Sequence, residues 1–220
     1  MSQTNMMKEH ENATVLDAFN TVLGIEGRPF GQTNKPVFGL SDNKKGVQWN
    51  IAIFADTSFM RIGVNLEGMK YRDWPIATFI LNELAEPSLN DLKRQLGPDK
   101  EIRIRFTRDA WQLASRPTIE EQLIGGKAFT LDSVDGNTWQ AMLEEAKGCL
   151  DETKGYRGRA KQHVTVLKKD GSANLKEMEV SPHLTIWTPL TYGTNMQTKI
   201  QECMEELQPV HDWMTACSKA

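Results

Sequence analysis

Between Val47 and Gly68 the chain reads "VQWNIAIFA", then "DTS", then "FMRIGVNLEG". Apolar side chains recur there with a period of two, the spacing of strands whose faces differ, and the polar break between them is short enough to be a tight turn. An antiparallel hairpin rich in Ile, Val and Phe is therefore the unit around which the rest of the chain must pack.

The same period returns in "HVTVLKK" and "LKEMEVSPHLTIW", which read as a second hairpin turning at Asp170-Gly171. Pro182 has no N–H to give a ladder, so it should put the returning strand at an edge or bulge it. In "EIRIRF", from Glu101, the residues Ile102, Ile104 and Phe106 alternate with Glu101, Arg103 and Arg105. The spacing predicts a further strand with the apolar set on the core and both arginines on the other face. "KAFTLDS" is one more candidate strand.

Helical spacing fills the intervals. Val15, Leu16, Phe19, Val22 and Leu23 form a stripe that Gly24 stops. The stretch from Gly24 to Gly46 carries two prolines and five glycines, which makes it a loop-rich connector with a short strand at Val37 to Leu40. Asp73 caps a helix at Trp74-Pro75 that carries Ile76, Phe79, Ile80 and Leu84, and Ser88 to Asp91 opens another with Leu89, Leu92 and Leu96, closed by Gly97-Pro98. Thr118 to Glu121 has capping-box spacing and predicts a short helix up to Gly125-Gly126. Trp139, Met142, Leu143, Ala146 and Leu150 make a further stripe. Thr194 to Gln197 opens the last long helix, with Ile200, Cys203, Met204 and Leu207, ending before Pro209.

Val47 to Leu96 and Lys161 to Leu207 share an order of hairpin, Trp- and Pro-containing turn and amphipathic helix. An internal duplication of a hairpin-helix unit would explain this order, although hairpin followed by helix is also a common unit of α+β domains. Paired period-two segments with short turns point to a single α+β domain, mainly antiparallel, with helices on one face. With 220 residues, 39% of them hydrophobic and 25% charged, one well-cored unit is expected over residues 13–220, after a polar, aperiodic and flexible tail at 1–12.

No run of eighteen apolar residues occurs, and the start lacks the basic-then-apolar order of a secretory signal, so a cytoplasmic protein without membrane contact is expected. Three widely spaced cysteines, Cys149, Cys203 and Cys217, suit neither a disulfide framework nor a CxxC zinc pair. A net charge of -3 removes the general attraction to nucleic acid that a basic domain would have. Any such binding must come from local patches.

Two patches qualify. Arg103, Arg105, Arg108 and Arg116 surround Trp111, and in a strand Arg103 and Arg105 point the same way about 7 Å apart, comparable to successive phosphates on one strand. Lys154, Arg157, Arg159 and Lys161 surround Tyr156, with glycine on both sides of Arg157 to let backbone approach a phosphate. Arginine offers paired donors in a planar fork and the aromatic rings offer a stacking surface for bases, so a nucleic-acid-binding module is the first expectation. Arg103, Arg105, Arg108, Trp111, Arg116, Tyr156, Arg157, Arg159 and Lys161 are its candidate residues. A protein-protein interaction or assembly protein, using a helix face or the edge near Pro182, is the alternative that ten adaptable methionines fit.

Each strand of the second hairpin also carries a His-x-Thr: "HVTV" from His163 and "HLTI" from His183. Paired motifs of this form resemble the signature of the 2H phosphoesterases, in which two histidines serve as general acid and base while the hydroxyls hold a phosphate. The resemblance covers these eight residues and implies catalytic roles for His163, Thr165, His183 and Thr185 in a metal-independent phosphodiesterase.

Metal and cofactor motifs are weaker. Asp56, Glu67 and Lys70 approach the acidic-pair-plus-lysine pattern of metal-dependent nucleases, but the lysine falls one residue late, and Glu177 with Glu179 has no such lysine. "GIEGRPFG" lacks the Lys-Ser/Thr of a phosphate loop, so neither metal nor cofactor is expected. Cys149 and Cys203 lie on or beside apolar stripes, where burial suppresses thiol reactivity, and Trp49, Trp74, Trp139 and Trp187 are expected to fill the core.

Overall fold

A computed structural model of the chain describes residues 3–31, 37–42, 44, 46–55, 57–67, 75–82, 85–98, 100–109, 123–151, 160–167 and 170–219. The fold is α+β. It opens with helix α1 (Gln3–Leu23), followed by strands β1 (Arg28–Phe30), β2 (Val37–Ser41), β3 (Val47–Phe54) and β4 (Phe59–Leu66). Helices α2 (Pro75–Leu81) and α3 (Ala85–Leu96) lead to β5 (Arg103–Asp109) and β6 (Leu123–Thr130), then to α4 (Gly136–Lys147). The chain finishes with β7 (Lys161–Leu167), β8 (Ala173–Glu179), β9 (Ser181–Leu190) and α5 (Met196–Cys217).

Seven strands form one antiparallel sheet in the order β1-β2-β3-β4-β9-β5-β6, and β7-β8 is a separate two-stranded ribbon. Register explains which side chains meet. Ile51 lies opposite Ile62, Val64 opposite Ile186, and Ile186 opposite Ile104, so one continuous apolar layer runs across β3, β4, β9 and β5. On that face it meets Phe19 of α1, Phe79 of α2, Trp139 and Met142 of α4, and Leu207, Val210 and Met214 of α5, all buried in one core. The β3-β4 hairpin forms as its alternation dictates, pairing Phe54 with Phe59 across the turn.

Several local expectations change. Residues 3–12, expected as a loose tail, carry the first turns of α1; Gln, Met, Lys and Glu there are good helix formers even without an apolar stripe. Residues 123–126, expected to end a helix, belong to β6, where Gly125 and Gly126 have φ of +75° and +78° and the β5-β6 register shifts. Paired glycines mark a bulge here instead of a helix stop. Thr118 to Gln122 lie outside the described residues, as do Asp73 and Trp74. Helix α5 runs through Pro209 to Cys217, and its N-cap is Asn195 in the left-handed region, with no side-chain cap bond. Buried Val210, Trp213 and Met214 continue the apolar stripe beyond the proline, and that packing outweighs the missing N–H.

The second hairpin is also redrawn. β7 pairs with β8 alone, whereas "PHLTIW" continues as β9 into the middle of the large sheet, between β4 and β5. Pro182 remains tolerable because it sits in the part of β9 that faces Arg108 of β5 but lies beyond the last β4 pair, Leu66 with Leu184. The proposed duplicates therefore differ in topology: the first hairpin is in the main sheet and the second is outside it.

Candidate functional site

The face of the large sheet turned away from the helices carries a second, polar layer. Register assigns to it Gln48 and Asn50 of β3, Arg61, Gly63 and Asn65 of β4, His183, Thr185 and Trp187 of β9, and Arg103, Arg105 and Thr107 of β5. Such a face on an antiparallel sheet is ordinarily solvated, yet here Gln48, Asn50, Arg61, Asn65, Thr185 and Trp187 are all buried. Asn50 Nδ2 donates to the Gly63 carbonyl oxygen at 3.2 Å, tying β3 to β4 on this face.

At its centre lies Trp187. The guanidinium carbon of Arg61 is 4.6 Å from the Trp187 ring centroid and that of Arg105 is 5.4 Å from it. Arg61 also lies 5.4 Å from the Phe54 ring. Gly63, paired with Trp187, makes this possible: a Cβ there would stand 2.8 Å from the Ile186 carbonyl oxygen and 2.9 Å from Trp187 Cβ. Any larger residue would push the indole off the strand.

Arg61 is 6% exposed and makes no hydrogen bond or ion pair with any described residue. Burial first, and the neighbouring Arg105 second, push its guanidinium well below the ordinary arginine range. Arginine keeps its proton in proteins, so the burial cost appears as an unmet demand for an anion. Stacking on two rings offsets part of that cost. Asn65 Oδ1 and Trp187 Nε1 are likewise buried without hydrogen-bond partners. Burying polar groups unpaired is unfavourable, and three of them on one face of one sheet are a concentration that interiors ordinarily avoid.

The rim is ionisable. His183 Nε2 lies 3.7 Å from Glu67 Oε1, and Thr107 Oγ1 donates to the His183 carbonyl oxygen at 3.4 Å. Arg103, on the exposed side, sits 3.4 Å from Glu101.

The candidate residues thus separate. Arg103 and Arg105 lie on the polar face together with His183 and Thr185, a grouping that neither sequence motif contained. Arg108 has the opposite parity: it reaches Gln162 Oε1 at 3.4 Å, on the side where Cys149 and the end of α4 pack. Burial pushes the Cys149 thiol up to about 12, which leaves it protonated and unreactive at neutral pH. His163 and Thr165 are on β7, in the ribbon, so the two His-x-Thr motifs stand on different sheets. Lys161 is 3.6 Å from Glu177 across that ribbon. Trp111, Arg116, Tyr156, Arg157 and Arg159 lie outside the described residues.

Trp187, expected in the core, is buried but stands outside the hydrophobic cluster, on the polar face; Trp49 and Trp139 do belong to the core. Arg61 and Asn65 were not singled out by sequence. Their signal is the alternation itself: in "FMRIGVNL" the residues Arg61, Gly63 and Asn65 occupy every second position, the row left over from the apolar one. Among the described residues no three His, Cys, Asp or Glu side chains gather closely enough to hold a metal ion, and no helix is long and apolar enough to cross a membrane. No protein-family model, no curated protein and no solved structure matches this chain.

Proposed function

We propose that the protein binds nucleic acid through the polar face of its sheet. One observation carries this reading: Arg103 and Arg105, donors suited to phosphate, project from one face of the sheet, with Arg103 exposed at its margin and Arg105 held against Trp187. Arginine forks hold phosphate oxygens in fixed geometry without contacting bases, so such a surface favours phosphate backbone with little sequence preference. Arg103 at the exposed margin makes first contact, and Arg105, closer to Trp187, draws the chain inward.

Titration of the intrinsic tryptophan fluorescence with single- and double-stranded oligonucleotides at two salt concentrations tests the reading. Binding should weaken as salt rises, and Arg103→Ala and Arg105→Ala should each flatten the slope of log K against log salt by ~0.7. Binding that ignores salt, or the absence of any binding, would remove it.

A further inference from the structure

The nucleic-acid reading uses the margin of the polar face, whereas the buried end of the same face asks for something more specific. Among the described residues Arg61 has no counter-ion, and Arg61 Nε, Trp187 Nε1 and Asn65 Oδ1 are buried without a hydrogen-bond partner. All three project from one face, Asn65 and Arg61 on β4 and Trp187 on the adjacent β9. After burial, the charge that acts on Arg61 among the described residues is that of Arg105, another cation.

From this cluster we infer that Arg61, Asn65 and Trp187 form a buried subsite for the dianionic phosphate of a phosphate monoester. The inference rests on the same sheet face as the nucleic-acid reading and narrows the ligand to a terminal phosphate, free or at a strand end. A phosphate monoester carries close to two negative charges near neutral pH, and its three terminal oxygens accept hydrogen bonds. One oxygen takes the Arg61 fork, another takes the Trp187 N–H, and the Asn65 amide, its two ends exchanged by rotation about its last bond, donates its NH2 to the third. A carboxylate brings one charge where the monoester brings nearly two, so it offsets less of the positive charge that Arg61 and Arg105 hold on this face. An internal phosphodiester carries one charge and two free oxygens, so a strand interior meets the same shortfall. The stacked guanidiniums of Arg61 and Arg105 keep the site in place before ligand arrives, the preorganisation that favours binding of a small anion.

Thermal unfolding of the full chain, followed at constant ionic strength, distinguishes the possible ligands. The probes are inorganic phosphate, adenosine 5′-monophosphate, adenosine, acetate, and a short single-stranded oligonucleotide with and without a 5′-phosphate. Inorganic phosphate and the monophosphate should raise Tm while adenosine and acetate do not, and the 5′-phosphorylated strand should bind more tightly than its unphosphorylated twin. A larger shift with the monophosphate than with inorganic phosphate would place the base on an aromatic ring as well. Arg61→Met, which keeps the stem but removes the charge, should weaken phosphate binding by about tenfold or more. It should also raise Tm in the absence of ligand, because an unpaired buried cation has been replaced by an apolar group. Arg105→Gln gives a second, milder reading, and phosphate binding to the wild type by phosphorus NMR needs no variant.

The subsite is overturned if wild-type protein shows no phosphate response by either measurement, or if Arg61→Met responds as the wild type does. It is also overturned if Arg61→Met lowers the unliganded Tm while leaving phosphate affinity intact, since Arg61 would then be structural. Oligonucleotide binding that is independent of the 5′-phosphate and of Arg61 would end the subsite and leave the nucleic-acid reading standing. Binding of phosphate and the monophosphate without any binding of either strand would do the reverse.

Discussion

A single imidazole on the helix side of the sheet links this fold to pH. His211 of α5 stacks on Trp49 of β3, with ring centroids 5.2 Å apart and planes 8° from parallel. Burial, and next the charge of Lys44, hold its pKa below the ordinary histidine value, while Asp212 and Asp42 act in the opposite direction and lose. The sign follows from proton linkage. Above about pH 6.5 the ring is neutral in both folded and unfolded chains, and the stacking contact is fully available. As pH falls below that value the unfolded chain takes up the proton first, so stability declines until the folded-state pKa is reached. Urea midpoints measured on either side of this window should therefore fall with acidification, and His211→Phe, which keeps a stacked ring and removes the proton site, should flatten that fall. An unchanged pH dependence in the variant would show that other groups carry it.

At the scale of elements, α5 is the helix that most defies its local sequence. Pro209 lies inside it, half-buried, with no N–H for the Glu205 carbonyl. Interior proline costs a helix ~3 kcal/mol relative to alanine. Trp213 Nε1 donates to Ser88 Oγ of α3 at 2.8 Å, and Trp213 also meets Phe79 of α2 edge to face at 5.1 Å, which anchors the helix beyond the proline. Pro209→Ala restores the hydrogen bond and should stabilise the protein by ~1–2 kcal/mol after allowance for the greater freedom of its unfolded chain. Chemical denaturation measures this. A destabilised variant would mean that the surrounding contacts require the proline's backbone geometry.

For the molecule as a whole, β9 is the joint. It pairs with β4 on one side and β5 on the other, so it alone connects β1-β2-β3-β4 to β5-β6 within the large sheet. Every pair it makes is distant in sequence, as with Gly63 to Trp187 and Arg103 to Trp187, and such contacts close large loops before they stabilise anything. A chain ending at Val180 loses β9 and α5 together, which leaves two unpaired sheet edges and removes the part of the core face's cover that α5 supplies. It should show no cooperative thermal transition, and mixing it with a peptide spanning β9 and α5 should restore one. A truncated chain that melts cooperatively by itself would contradict the central role given to β9.

Much of the architecture was legible in local pattern, because alternation and helical spacing record which face of an element avoids water. The β3-β4 hairpin, the strand at Ile104, the Trp139 helix and the mainly antiparallel α+β class follow from residues close in sequence. Strand neighbours further apart do not. "PHLTIW" is equally good as the return of a ribbon or as the middle of a sheet, and its placement between β4 and β5 depended on Ile186 finding Val64 and Ile104 at once. The bulge at Gly125-Gly126 and the passage of α5 through Pro209 were likewise decided by packing that overrides local preference. The candidate site shows the same division. Arg103 and Arg105 were visible as a cationic row on one strand, and His183 and Thr185 as a motif on another. Their meeting with Arg61 around Trp187 was invisible, because a polar row in a strand says that it avoids the core and nothing about which rows lie beside it. Sequence by itself determined which residues share a face; only the tertiary structure decided which faces share a sheet, since strand order is set by the burial of the whole apolar layer and not by any segment of it.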